Sequence, residues 1–384
     1  MTTKRIIPFG VIGCGLMGRE FASAAARWCH LVDLDFAPRI VAACDTNPPA
    51  AQWFQRNVPG VAIVTDYRRL LDDPGIEAVY CAVPHNLHAE LYRDIIRSGK
   101  HLLGEKPFGI DQAANRQVVE CVREHPDVLV RCSSEIPFYP GAYRIGQWIR
   151  EKRFGQVIEV EAGFWHSSDL DPNKPINWKR RVATCGEYGV MGDLGMHALH
   201  IPLRFGWKPK NVRALLSKVV TERPDGAGKL VACETWDNAI LACDVACDGQ
   251  RFPMVMSTKR IAPGHNNTWF LKIVGTQFSA EFTTKSPKQI ASLPYESGRA
   301  QAWHVEDAPY RTAYETITGS IFEFGFSDSV LQMWAAFCDE LVNGPRMKQP
   351  FYCATPEETA QTHALFAAAL ESQRTEQTGQ IHYG

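Results

Sequence analysis

Three short stretches of this 384-residue chain place reactive side chains at telling spacings. Gly13-Cys14-Gly15-Leu16-Met17-Gly18 reads G-x-G-x-x-G, after an apolar run and before a helical pattern. The first glycine permits a tight strand-to-helix turn, the second brings backbone close to a pyrophosphate, and the third packs helix on strand. The helix start then adds N–H donors and partial positive charge for that anion. Asp45 closes the second apolar run, where a carboxylate accepts hydrogen bonds from ribose hydroxyls and repels a 2′-phosphate. NAD is the expected cofactor, ahead of NADP. Asp45 lies further from the glycines than the usual ~20 residues. An extended loop over residues 30–38 is expected to absorb the excess; the competing reading makes Asp45 a turn residue only.

Gly104-Glu105-Lys106-Pro107 follows a strand pattern at the edge of the sheet where open α/β folds bind ligands. Lysine there could contact the nicotinamide ribose and the reacting hydroxyl, and its pKa shifts readily on burial. Its bland alternative is a surface lysine. Asp193 and His197 stand four apart in Gly192-Asp193-Leu194-Gly195-Met196-His197, a spacing that puts both on one helix face. Removing hydride from a secondary alcohol requires the hydroxyl proton to leave, and histidine suits that transfer near neutrality. Asp193 would orient the substrate or the imidazole, while His200, on a neighbouring face, reads as structural. A metal pair competes for Asp193 and His197, but the chain offers no other obvious ligand cluster, so no metal is expected.

Trp165-His166 and Trp178-Lys179-Arg180, within the basic stretch 174–181, bracket the approach to the Asp193 helix. Tryptophans stack on sugar faces, and cations hold carboxylate, phosphate or sulfonate groups. Trp165, His166, Trp178, Lys179 and Arg180 therefore join Lys106, Asp193 and His197 as candidate substrate contacts. A solvated charged loop is the alternative.

The elements that must position these groups are legible as patterns. Short apolar strands at 8–12, 40–44, 78–83 and 101–104 alternate with helices at 19–29 and 88–98, which implies a parallel, doubly wound Rossmann sheet. After about Ser134 the texture changes: a linker at 136–140, a helix at 142–152, then strands of alternating character at 157–164, 212–219, 239–246, 253–257 and 269–274. These predict a second α/β domain with a large, mainly antiparallel, open sheet. Residues 167–186 and 286–311 read as long loops, and 356–374 as an amphipathic helix with Thr355 as N-cap. The expected division is residues 1–134 for the dinucleotide and 135–384 for substrate and oligomerisation, the C-terminal helix packing back on the first domain.

A formal net charge of -1 and the lack of a long basic run argue against nucleic acid. No apolar segment approaches the ~20 residues that span a bilayer, and no signal pattern follows residues 1–7, so the expected location is cytoplasmic. The 12 cysteines lie scattered without paired C-x-x-C spacing, as reduced and mostly buried thiols do.

Taken in order, the glycine motif, Pro84-His85-Asn86-Leu87-His88, Glu105-Lys106-Pro107 and Asp193-x-x-x-His197 make the whole chain resemble the Gfo/Idh/MocA oxidoreductases. The resemblance implies Lys106, Asp193 and His197 as the catalytic set, with His197 as acid/base. It places Pro84, His85, His88, Glu105 and Lys106 beside the cofactor, with Gly13, Gly15, Leu16, Met17, Gly18 and Asp45. It also implies that the open sheet forms the interface of a homo-oligomer, dimer or tetramer. Three functions follow as expectations. The first is hydride transfer between NAD and a ring secondary hydroxyl of a sugar or glycoside. The second is NAD-dependent glycoside hydrolysis by oxidation, elimination, hydration and reduction, including anionic glycosides such as sulfoquinovosides. The third is a non-catalytic dinucleotide sensor, against which the three catalytic residues argue.

Overall fold

Strands with both faces apolar must be covered on both sides, and the first sheet is built that way. The structure, a computed structural model, describes residues 4–307, 312–348 and 352–383. In chain order the elements are β1 (Arg5–Ile12), α1 (Leu16–Ala26), β2 (Phe36–Cys44), α2 (Pro48–Asn57), β3 (Ala62–Val64), α3 (Tyr67–Leu71), β4 (Ala78–Cys81), α4 (His88–Arg97), β5 (His101–Gly104), α5 (Gln112–Glu124) and β6 (Val130–Cys132). The six strands pair in parallel in the order β3-β2-β1-β4-β5-β6. That is the doubly wound Rossmann order, with its switch point between β1 and β4. The expected long loop before Asp45 is shorter than the sequence suggested. A 3-10 turn, Trp28–His30, and a strand that already begins at Phe36 take up the residues.

The chain then continues through α6 (Pro140–Arg150), β7 (Val157–Trp165), α7 (Val182–Cys185), α8 (Val190–Arg204), β8 (Pro209–Ser217), β9 (Glu222–Pro224), β10 (Leu230–Ala232), β11 (Asn238–Cys247), β12 (Gln250–Lys259), β13 (Thr268–Gly275), β14 (Phe278–Thr283), β15 (Gln289–Pro294), β16 (His304–Asp307), α9 (Phe326–Asn343), α10 (Pro356–Thr375) and β17 (Gly379–Gln380). Nine strands form one sheet in the order β16-β15-β14-β13-β7-β12-β11-β8-β17, antiparallel except for the β7–β12 pair. Burial alternates along its strands: Val160, Ala162 and Phe164 are buried on one face of β7, and Leu241, Cys243 and Val245 on one face of β11. The stretch 286–311, expected as loop, contributes β15 and β16, whose polar, half-exposed residues hide the alternation.

Contacts divide the chain into two units, one of Met1–Gly109, Ala113–Phe138 and Tyr310–Pro356, the other of Ile110–Gln112, Tyr139–Pro309 and Glu357–Gly384. The second is therefore not the continuous 135–384 segment expected. The helix that returns to the Rossmann unit is α9, which the sequence did not suggest. Its Trp334 is fully buried, with its ring centroid 3.5 Å from that of Phe21 on α1 and 5.1 Å from that of Phe9 on β1. α10, expected against the first domain, belongs to the second unit. Its Glu358 pairs with Arg204 of α8 (2.5 Å) and Thr362 Oγ1 lies 3.3 Å from Met196 Sδ. The physical reason is that α8 is buried on every side from Val190 to Leu203 and needs helix cover as well as sheet cover.

Candidate active site

In the first unit the carboxyl edges of β1, β2, β4 and β5 bring the predicted cofactor residues together. Gly13 has φ +96°, and a Cβ there would overlap the carbonyl oxygen of Ala82 just beyond β4. A Cβ on Gly18 would overlap the Gly13 carbonyl, whereas Gly15 faces open space. This is a backbone cradle of the kind a pyrophosphate requires, and α1 starts at Leu16, which is 77% exposed beside it. Asp45 Oδ2 accepts the Cys14 N–H at 2.7 Å and Oδ1 the Asn47 N–H at 2.7 Å, so the carboxylate is fixed between the glycine loop and its own turn. These residues fit a dinucleotide with an unphosphorylated ribose.

Pro84 precedes a 3-10 turn, His85–Leu87, and His85 is buried there. His88 departs from the expected cofactor role. Its ring is fully buried and stacked on Tyr92, with Nε2 on the Val83 carbonyl (3.0 Å) and Nδ1 accepting the Gly109 N–H (3.3 Å). With both nitrogens committed to backbone, it is a structural histidine. Glu105 and Lys106 follow β5. Glu105 Oε1 accepts the Tyr80 hydroxyl at 2.6 Å and its carbonyl the Tyr92 hydroxyl at 2.8 Å, while Lys106 is half-buried.

Glu135, which no motif marked, lies just past β6. The Ser133 N–H donates to the Gly104 carbonyl at 2.8 Å and extends the β5–β6 pairing towards it. Its carboxyl is 3% exposed. Burial pushes its pKa up to about 7, Glu105 adds to the rise, and Lys106 works against it. A buried carboxyl near neutrality therefore sits in the electrostatic field of Lys106.

In the second unit α8 carries Asp193 and His197 on successive turns, both almost fully buried. Asp193, in the first turn, gains from the helix dipole. The sheet holds His197 from below: Trp269 Nε1 donates to its carbonyl at 2.9 Å, and the Phe164 ring meets its imidazole edge-on at 5.4 Å. Phe164 and Trp269 are register partners on the covered face. Two cations flank Asp193. Lys179 Nζ lies 3.0 Å from Oδ1, and Arg260 Nη2 donates to Oδ2. Cations at this distance favour the ionised form of a carboxylate.

The remaining substrate candidates separate. His166 lies near Phe164 (5.1 Å between centroids), on the His197 face. Trp178 opens the 3-10 turn Trp178–Arg180 and stands beside Lys179, whose Nζ is 5.5 Å from its ring. Trp165 is not brought to the site. Strand alternation turns it to the opposite face from Phe164, where its ring packs against His265 and Phe270 and its Nε1 donates to Ser257 Oγ (2.9 Å). Arg180 is not a substrate contact either. It is 1% exposed, paired with Asp237 at 3.0 Å and bonded to the Val220 carbonyl at 2.7 Å. His200 Nε2 lies 2.7 Å from Nη2 of Arg204.

Sequence reasoning also missed Arg260, which follows β12 with no motif around it. Only its place, one residue past Lys259, the β12 residue level with Trp165, could have signalled it. Among the described residues one further group has metal-ligand chemistry, Cys121, Glu124 and His125 on α5. Its His125 Nδ1 is 2.8 Å from the Cys121 carbonyl, and burial raises the thiol pKa. No helix among the described residues is long and apolar enough to cross a membrane.

Comparisons with known proteins bear on the fold and the family. The family described as "Oxidoreductase family, NAD-binding Rossmann fold" matches residues 7–131, and the GFO/IDH/MocA C-terminal domain matches residues 143–281. A levoglucosan dehydrogenase of Pseudarthrobacter phenanthrenivorans is 25% identical over 329 residues, 82% of this chain and 81% of that protein. A trans-1,2-dihydrobenzene-1,2-diol dehydrogenase of Sus scrofa is 23% identical over 267 residues, 68% and 75% of the two chains. Among solved structures, levoglucosan dehydrogenase in complex with NADH and levoglucosan superposes with a TM-score of 0.87 at 20% identity, covering 99% of this chain and 100% of that one.

Proposed function

The chain belongs to the Gfo/Idh/MocA family of NAD-binding oxidoreductases, and we propose that within it the protein oxidises a ring secondary hydroxyl of a neutral sugar or anhydrosugar. One observation carries the reading: Asp193 is held between Lys179 and Arg260 one helical turn before the buried His197. That arrangement provides a proton acceptor beside fixed polar donors, in a chain that also carries the Gly13–Gly18 cradle.

Bound in that cradle, oxidised nicotinamide would supply the hydride acceptor. His197 takes the hydroxyl proton, its ring orientation held by Phe164 and its backbone by Trp269. Asp193 remains ionised, stabilises the imidazolium that results and orients hydroxyl donors. Lys106 donates a hydrogen bond to the reacting oxygen and so steadies the negative charge that develops there. Trp178 offers apolar area to a ring face.

A neutral ring is favoured over an anionic one because two cations of the 174–181 stretch are already engaged by the protein: Arg180 on the buried Asp237, and Lys174 on the Ser168 carbonyl and Asp169. The curated relative that acts on levoglucosan, a neutral anhydrosugar by name, supports the same class. Glycoside hydrolysis would share the first oxidation, so one experiment addresses both. Sugars and glycosides are incubated in deuterated water with catalytic or excess NAD. Stoichiometric reduced cofactor supports the dehydrogenase; released sugar carrying deuterium, without net reduction, supports the hydrolase. No turnover of any sugar or glycoside would refute the sugar reading.

The open face of the nine-stranded sheet, with Leu215 57% exposed opposite Ile240, supports a homo-oligomer formed through that face. Twelve free thiols, ten of them buried, support a reducing compartment, the cytoplasm.

A further inference from the structure

Both terminal nitrogens and both backbone groups of Arg260 are bonded. Its Nη1 donates to Ser168 Oγ at 2.8 Å and its Nη2 to Asp193; its backbone N–H donates to the Asp237 carbonyl at 2.9 Å, and its carbonyl accepts the Asp169 N–H at 3.0 Å. Its side chain is 10% exposed, against 29% for Lys179 on the other oxygen of the same carboxylate. Burial acts to lower the guanidinium pKa, but the Asp193 and Asp169 carboxylates outweigh it, so the pKa rises and the positive charge is permanent. The loop that supplies Ser168 and Asp169 is itself anchored. Arg223, 1% exposed, donates to the carbonyls of Asp171 (2.8 Å), Lys174 (3.0 Å) and Asp169.

The two cations on Asp193 are therefore unequal. Arginine presents a rigid planar fork held from behind by Ser168; lysine presents a point charge on a flexible stem. If Lys179 alone held Asp193, any movement of the ammonium towards a ligand would leave a buried carboxylate uncompensated, a costly state. With Arg260 in place, Lys179 can exchange its carboxylate partner for a substrate oxygen while Asp193 keeps both its charge and its rotamer.

We propose that Arg260 is the positioning residue of this site, holding Asp193 ionised and fixed so that Lys179 is the exchangeable cation that reads the substrate. The proposal rests on the sugar-oxidising reading for its kinetic consequence, but not for its electrostatic one. The charged and titratable groups of the cluster include Lys179 from the 178–180 turn, Cys185 at the end of α7, Arg260 after β12, Asp169 and Lys174 from the segment after β7, His197 one turn along α8, and His166 beside Phe164.

The test uses the full-length protein, wild type and with Arg260→Gln, Arg260→Lys and Lys179→Gln, aspartate carboxyls labelled with ¹³C and the Asp193 resonance assigned by its loss in Asp193→Asn. Arg260→Gln should move the Asp193 titration upward by about one pH unit or more, while Arg260→Lys restores most of the shift. On the sugar identified by screening, Arg260→Gln should lower kcat by roughly 10- to 100-fold, and combining it with Asp193→Asn should cost little beyond Asp193→Asn alone. Lys179→Gln should instead raise KM for the sugar more than it lowers kcat. An Asp193 titration that ignores Arg260→Gln overturns the proposal, and so do fully additive losses in the double variant. If Arg260→Gln does not fold, the comparison of Arg260→Lys with wild type carries the test: an altered kcat with unaltered melting supports positioning, and a fall in melting temperature alone overturns it. Should no sugar be turned over at all, the functional reading falls, while the carboxyl titration still decides the role of Arg260.

Discussion

The backbone N–H of Cys14 donates to the carboxylate of Asp45 at 2.7 Å, joining the glycine loop after β1 to the end of β2. One side chain thus shapes the loop expected to take the pyrophosphate and also stands where the adenosine ribose is expected. Asp45→Ala should weaken NAD by about 10- to 100-fold, the equivalent of one charge-assisted hydrogen bond of ~1.5–3 kcal/mol, and should narrow the preference over NADP. Calorimetric titration of both dinucleotides checks this. Wild-type protein that bound NADP as tightly as NAD would contradict the assignment.

His197→Ala should reduce turnover by roughly 10²- to 10⁴-fold with NAD affinity nearly unchanged, since proton transfer is lost while the Rossmann unit is untouched. Lys106→Ala should be comparably damaging. Trp165→Ala, on the other face of the sheet from Phe164, should leave the kinetic constants close to wild type. Steady-state kinetics of the three variants side by side separate the predicted contacts that the fold retains from the one it discards.

Arg180→Ala should act on stability and not on substrate choice. It would strand the Asp237 carboxylate, which is fully buried. Breaking a buried pair from one side costs about 3–5 kcal/mol. Chemical denaturation should show that loss, and a panel of neutral and acidic sugars should keep its rank order. A change of preference in a stable Arg180 variant would restore the anion-binding reading.

Glu135 predicts a specific pH dependence. Its folded pKa, about 7, exceeds the ordinary glutamate value of 4.5, chiefly through burial and then through Glu105. Between these values the folded protein keeps a proton that the unfolded chain has released, so this group's contribution to stability falls as pH rises through the window and levels off above it. The ceiling on the loss is ~3 kcal/mol. Glu135→Gln removes the ionisation, so its melting temperature relative to wild type should be similar at pH 5 and clearly higher at pH 8. A constant difference across that range would show that the carboxyl does not titrate there.

Light scattering at micromolar concentration should give a dimer or tetramer, and Leu215→Glu on the open sheet face should shift it to monomer. A monomeric wild type would remove the interface reading.

Much of the site was legible because its residues come in fixed local spacings. G-x-G-x-x-G, Asp45 at a strand end, Lys106 in Glu-Lys-Pro and the four-residue step from Asp193 to His197 are each settled by a few neighbouring backbone angles. The alternation of apolar runs with helices gave the Rossmann sheet for the same reason. α9 escaped notice because its inner stretch, Ser329 to Asp339, is buried on all sides and shows no single apolar stripe.

What the sequence by itself determined was the set of reacting groups and the sheet edge or helix turn that each one occupies. Only the tertiary structure decided which of their neighbours count. Trp165 and Phe164 are adjacent in sequence, yet the two-residue period of a strand sends one away from His197 and the other against it. Arg180 and Lys179 are adjacent cations, yet one is buried on Asp237 and the other reaches Asp193. Arg260, 67 residues along the chain from Asp193, meets it only because α8 packs against the sheet that β12 belongs to. Pairings over that distance depend on how sheets and helices close on one another, and no local spacing encodes them.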